Sequence, residues 1–120
     1  MGNSVLTISP PTALATTTNG DAVDVRDFHG VCKFVLSTSA TGGADQTCTV
    51  KLQTSADGTT GWTDTGLEFA ATDDEAAATL EIVTNIDNFD RYVRAVTTLD
   101  GDGATVSNCV LLVGRKHHEP

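Results

Sequence analysis

Apolar and polar residues alternate with a period of two along most of this chain. Residues 47–55 show it most cleanly: Cys48, Val50 and Leu52 fall on one side, and Thr47, Thr49, Lys51 and Gln53 on the other. Successive side chains of an extended backbone point to opposite faces, so this pattern predicts a half-buried β-strand. Residues 31–37 read the same way, with Cys32, Phe34 and Leu36 on one face and Val31, Lys33 and Val35 on the other. That second face is more apolar than a solvated face requires, which predicts partial cover by another subunit or a loop. Residues 21–27 form an edge-type strand with Val23 and Val25 inward. Residues 62–69 (Leu67 and Phe69 on one face), 79–84 (Leu80 and Ile82 on one face), 91–96 and 104–114 complete the set.

Turn chemistry separates these runs. Thr41-Gly42-Gly43-Ala44-Asp45, Asp57-Gly58 and Asp100-Gly101-Asp102-Gly103 supply glycines that accept positive φ, and residues 85–90 form a turn-rich connection. The one helix-friendly stretch runs from Asp73-Asp74-Glu75 into Ala76-Ala77-Ala78, where at most one turn of helix is expected. About eight short strands with turn signals roughly every ten residues predict an all-β, antiparallel β-sandwich or jelly-roll-like domain. A parallel α/β fold would need long helical patterns between the strands.

A length of 120 residues fits one domain. Residues 1–19 read as an extended N-terminal arm: residues 4–9 are β-prone, Pro10-Pro11 stops regular pairing, and residues 12–19 are rich in Thr and Ala. Residues 20–114 form the sandwich, and residues 115–120 a loose polar tail. Aromatic residues make up only 5%, so Val, Leu, Ile and Ala must build the core, which leaves self-association or docking as sources of further stability.

A formal net charge of -9 weighs against a nucleic-acid partner, because phosphate neutralisation needs clustered Lys and Arg. No basic-then-apolar leader opens the sequence, and no window approaches the ~20 apolar residues of a membrane helix. Synthesis in the cytoplasm and no membrane partner are therefore expected. Cys32, Cys48 and Cys109 lie inside predicted strands and read as reduced, apolar core residues, against a disulfide or a reactive thiol.

Candidate chemistry is sparse. Asp100-x-Asp102-Gly103 has the opening of a calcium loop, but residues 104–113 supply no carboxylate to complete it, so a hairpin is the better reading. Asp73, Asp74 and Glu75 read as a solvated charge run, while His117 and His118 fall in the tail and His29 has no partner in sequence. Ser55-Ala56-Asp57-Gly58-Thr59-Thr60-Gly61-Trp62 resembles the Asp-box hairpin of sialidases and other β proteins at Ser55, Asp57 and Trp62. Such hairpins are structural, so Trp62 is expected to pack the sandwich edge, the alternative being a sugar-stacking platform. No nucleophile elbow, P-loop or dinucleotide fingerprint occurs in the sequence. The expectation is a protein that is not an enzyme, with no catalytic residue, cofactor or metal.

A resemblance sharpens this. Asp27-Phe28-His29-Gly30, then Lys51-Leu52-Gln53-Thr54-Ser55-Ala56-Asp57-Gly58 with Trp62-Thr63-Asp64, then Arg91-Tyr92-Val93-Arg94-Ala95 and Leu112-Val113-Gly114-Arg115-Lys116 run in an order that resembles the small β-sandwich head decoration, or cement, proteins of tailed bacteriophages. The resemblance implies a virion protein on the capsid exterior, commonly a homotrimer, that clamps neighbouring copies of the major capsid protein. It brings no catalytic residues. The contacts expected are Val5, Leu6, Ile8, Pro10 and Pro11 of the arm, with Arg91, Arg94, Arg115 and Lys116. Arg91 and Arg94 are expected on opposite faces of one strand, paired across an interface or with an intramolecular Asp. Two alternatives stay open: another phage structural component of tail or neck, and a carbohydrate- or receptor-binding module built on Trp62.

Overall fold

A computed structural model of the chain describes residues 4–14, 18–39, 47–73, 77–100 and 106–116. In chain order the strands are β1 (Ser4–Leu14), β2 (Thr18–Asn19), β3 (Val23–Asp24), β4 (Phe28–Thr38), β5 (Thr47–Ser55), β6 (Thr63–Glu68), β7 (Thr72–Asp73), β8 (Ala78–Asn85), β9 (Tyr92–Asp100) and β10 (Val106–Lys116). A single 3-10 turn, Ile86–Asn88, is the only helical element among the described residues. The side chain of Asn85 caps it by accepting from the Asp87 amide at 2.9 Å.

Every pairing is antiparallel, and the strands form two sheets. The first has the order β1-β10-β4-β8; the second has β2-β9-β5-β6, with β3 also on β9 and β7 also on β5. The fold is therefore an antiparallel β-sandwich, as the alternation predicted. The period of two decides what lies between the sheets. Cys32, Phe34 and Leu36 of β4 meet Cys48, Val50 and Leu52 of β5, with Val93 and Ala95 of β9 and Val110 and Leu112 of β10. Phe34, Leu52, Val93 and Leu112 have no exposed surface, and Phe34 stacks on Phe89 with ring centroids 5.6 Å apart. Burying each of these side chains contributes about 1.5–3 kcal/mol, which aligned packing of two sheets can collect without large aromatics.

Three expectations need correction. Pairing does not stop at Pro10-Pro11, because β1 continues to Leu14 beside β10. β1 is an edge strand, and its register slips between Thr7 and Ser9 and again between Ser9 and Thr12. The two prolines sit in the second slip, where no ladder amide is demanded of them. Residues 4–14 are thus part of a sheet, and Ile8, at 1% exposure, is part of the core. At the other end the last strand outruns residue 114: Arg115 pairs with His29 and Lys116 with Phe28. Cys109 is the third correction. It is only partly buried, because its position on β10 alternates away from the core that Asn108 and Val110 face, whereas Cys32 and Cys48 are buried as expected.

The strand expected over residues 21–27 shortens to Val23–Asp24, although Val25 is buried as predicted and Val23 packs on the core. Residues 74–76 of the helix-friendly stretch, the turn at 41–45, Gly101 to Gly103, and His117 and His118 lie outside the described residues.

Candidate functional site

The polar side chains single out three places: the hairpin after β5, the outer face of the second sheet, and the loop end where β3 meets β9. A fourth place, the outer face of the first sheet, is singled out by apolar ones.

The hairpin carries the Ser55–Trp62 motif. Ser55 is fully buried; its Oγ lies 2.6 Å from the Thr60 carbonyl oxygen and accepts from the Gly58 amide at 3.1 Å. The Asp57 carboxylate accepts from the amides of Thr59 and Thr60, both at 2.9 Å, and from Thr60 Oγ1 at 2.8 Å. The Thr60 and Thr59 amides, helped by the Thr60 hydroxyl, hold its carboxyl well below the usual carboxylate range. Gly58 completes the turn at φ +79°, with the Tyr92 ring 3.1 Å from where a Cβ would sit. All these bonds close within the turn, so Asp57 and Ser55 build the hairpin.

On the outer face of the second sheet, Arg94 of β9, Gln53 of β5 and Asp64 of β6 stand in one cross-strand row. Arg94 Nε and Nη2 donate to Gln53 Oε1 at 2.9 and 2.7 Å, and Gln53 Nε2 donates to Asp64 Oδ1 at 2.8 Å. Lys51 Nζ reaches the same carboxylate at 3.1 Å. Hydrogen bonds from Gln53 and then Lys51 lower the Asp64 pKa. The Arg94 guanidinium lies 4.3 Å from the centroid of the Trp62 ring, so one face of the indole is covered.

At the loop end, Arg91 forks onto Asp24, with Nε at 3.0 Å and Nη2 at 2.9 Å from Oδ2. Burial raises the Asp24 pKa, but the Arg26 amide and Arg91 outweigh it and leave it lowered. Arg91 sits in the bend before β9 and also lies over Tyr92 at 5.1 Å.

The outer face of the first sheet differs from these. Across β1-β10-β4-β8 the register aligns Val5, Val113, Lys33 and Val83 in one row, and Thr7, Leu111, Val35 and Glu81 in the next. Val31, one step along β4, joins Val83, Val113 and Gly114 around a shallow groove. Val5, Val31 and Val83 are 61%, 70% and 68% exposed, while Val35, Leu111 and Val113 are partly buried. Lys33 Nζ lies 3.3 Å from Glu81 Oε1 in the middle of this strip. The excess of apolar residues on the second face of β4, noted in the sequence, extends over all four strands.

The predicted contact residues scatter over this map. Val5 lies on the exposed face of the first sheet, Leu6 packs partly against the core and Ile8 is inside it. Pro10 and Pro11 lie within β1, and Arg115 is exposed on β10. Lys116 ends that strand. Arg91 and Arg94 are engaged within the chain, and the row Lys51, Gln53 and Asp64 was not anticipated. With Arg94 its members come from three strands, so only the pairing of β5 with both β6 and β9 reveals it. Among the described residues no group of three or more His, Cys, Asp and Glu is placed to hold a metal ion. No helix among them is long and apolar enough to cross a membrane.

No protein-family model matches the chain, and no curated protein sequence matches it. Solved structures do share its architecture. The SPBc2 prophage-derived protein YomS superposes with a TM-score of 0.53 over 93% of both chains, at 11% identity. The Clostridium thermocellum xylanase 10B CBM22-1-GH10 modules, solved with xylohexaose, give 0.52 over 99% of this chain but only 27% of that one, at 9% identity. Eiger TNF from S. frugiperda gives 0.50 over 99% of this chain and 88% of that one, at 13% identity. Identities this low establish a shared β-sandwich fold.

Proposed function

We propose that this chain is a phage virion protein that decorates the outside of the assembled head and strengthens contacts between major capsid subunits. The observation that carries the reading is the strip Val5, Val31 and Val83 on a sheet face that the isolated chain leaves uncovered. Contiguous exposed apolar surface marks a place where another protein sits. A stiff sandwich with such a face works by adhesion, and many weak contacts on a lattice sum through multivalency. The ordered resemblance at residues 27–30, 51–58, 62–64, 91–95 and 112–116 supports the reading, as does the likeness to a prophage-derived protein along nearly the whole length of both chains. The capsid contacts fall to the β1 edge around Val5 and to Arg115; Ile8 is withdrawn because it is buried.

A glycan platform on Trp62 is the weaker reading, because Arg94 already occupies one face of that ring. Quantitative mass spectrometry of particles purified from the source of this sequence tests the proposal. A copy number near that of the major capsid protein is expected. A few copies per particle would point to tail or neck, and absence from the particle would end the reading.

A further inference from the structure

We infer that the outer face of β1-β10-β4-β8 binds a second copy of this chain, face to face across a two-fold axis. The inference rests on the adhesion reading and names what covers the apolar strip in the free chain, before capsid subunits take that place. It concerns the isolated chain and stands or falls separately from capsid attachment.

Charge is the first argument. The chain as a whole carries -9, so most of its surface repels a second copy. On this face the described charges are two cations, Lys33 and Arg115, and one carboxylate, Glu81. With two cations against one carboxylate among its described residues, this face lacks the acidic excess of the chain as a whole. Lys33 and Glu81 are also neighbours, 3.3 Å apart on β4 and β8. A two-fold axis lying in the face between them sets each copy's Lys33 opposite the other's Glu81. An isologous interface requires this self-complementarity, with residue i meeting j while j meets i.

Size is the second argument. Four strands spaced ~4.8 Å apart and about eight residues long at ~3.3 Å each give a flat footprint of roughly 500 Å². Side-chain relief adds accessible area, which brings the face near the ~800 Å² per partner of a standard stable contact. Val31 and Val83 are the most exposed large apolar side chains on it, and with Val113 and Gly114 they line a shallow groove. Sheets stack about 10 Å apart by interlocking such ridges and grooves, as the two sheets within the chain already do.

Sedimentation equilibrium on the intact chain from about 5 to 200 µM tests this, with circular dichroism as the check on folding. A monomer–dimer equilibrium is expected, tightening at high salt as the residual repulsion is screened. Val31→Asp and Val83→Asp, both at exposed positions, are expected to weaken it at least about 50-fold without changing the spectrum. Lys33→Glu alone sets two carboxylates face to face and weakens association about 10-fold, while Lys33→Glu with Glu81→Lys restores it. A monomer throughout the range overturns the inference. So does a trimer, the state implied by the decoration family, or a dimer indifferent to the valine variants. A monomeric chain that still loads onto particles would reject the two-fold contact and keep the decoration reading. A dimer absent from particles would do the reverse.

Discussion

The guanidinium of Arg94 lies 4.3 Å over the ring of Trp62, and the same group donates twice to Gln53 Oε1. Arg94 is thus fixed from two sides by residues of other segments, and the hairpin carrying Trp62 is tied to β9 through it. The coupling between them is expected at about 0.5–1 kcal/mol, the range for a cation over an accessible ring. A double-mutant cycle of Trp62→Ala and Arg94→Ala, read from urea midpoints, measures it. Additive losses would show that the stack contributes nothing to stability.

Gly58 and Gly61 separate two effects of a side chain at positive φ. Both sit in the left-handed region, at φ +79° and +67°, but only Gly58 has the Tyr92 ring 3.1 Å from the Cβ position. Gly61→Ala is expected to lose about 1 kcal/mol from backbone strain alone. Gly58→Ala should lose about 1 kcal/mol more, because the ring must also give way. Equal losses in thermal or urea unfolding would mean that Tyr92 yields freely.

Acid should act on the hairpin late. The Asp57 carboxyl titrates well below its ordinary value of 3.8 in the folded chain. A lowered folded pKa contributes stability that is complete above the unfolded value and is lost as pH falls toward the folded one. Asp57→Asn should therefore be less stable than the parent at pH 7, and should lose less than the parent does between pH 4 and pH 2. Parallel acid dependence of the two urea midpoints would remove Asp57 from the explanation.

The cysteines should divide by face. Burial, with the Asp87 charge adding to it and a backbone hydrogen bond to Ile86 opposing it, pushes the Cys32 thiol up to about 11, and burial raises Cys48 as well. Cys109 is only partly buried on the outer face. A disulfide reagent at pH 8 should modify one thiol quickly and the other two about 100-fold more slowly, through opening of the fold. Rapid reaction of all three would mean that the sandwich opens far more easily than its packing implies.

What the sequence disclosed and what it hid follow from one distinction. β5 was legible to the residue, because its two faces differ in polarity at every step, and β4 revealed even the unusual chemistry of its outer side. β1 was misread since a proline pair says only that two amides are missing; whether that ends a strand depends on whether a neighbour needs them. The Arg94–Gln53–Asp64 row, and which Asp would take Arg91, were hidden for a related reason. Each contact joins segments remote in sequence, and their meeting is decided by the order of strands, which alternation does not encode. Cys109 was placed inside on composition, although its own parity with Leu111 and Val113 put it out.

The position of β10 between β1 and β4 has a consequence for how the protein is made. During translation the first strand waits, unpaired, for a neighbour synthesised about a hundred residues later. That layer therefore closes only once β10 has been made. Until then its valine-rich strands are open to the wrong company.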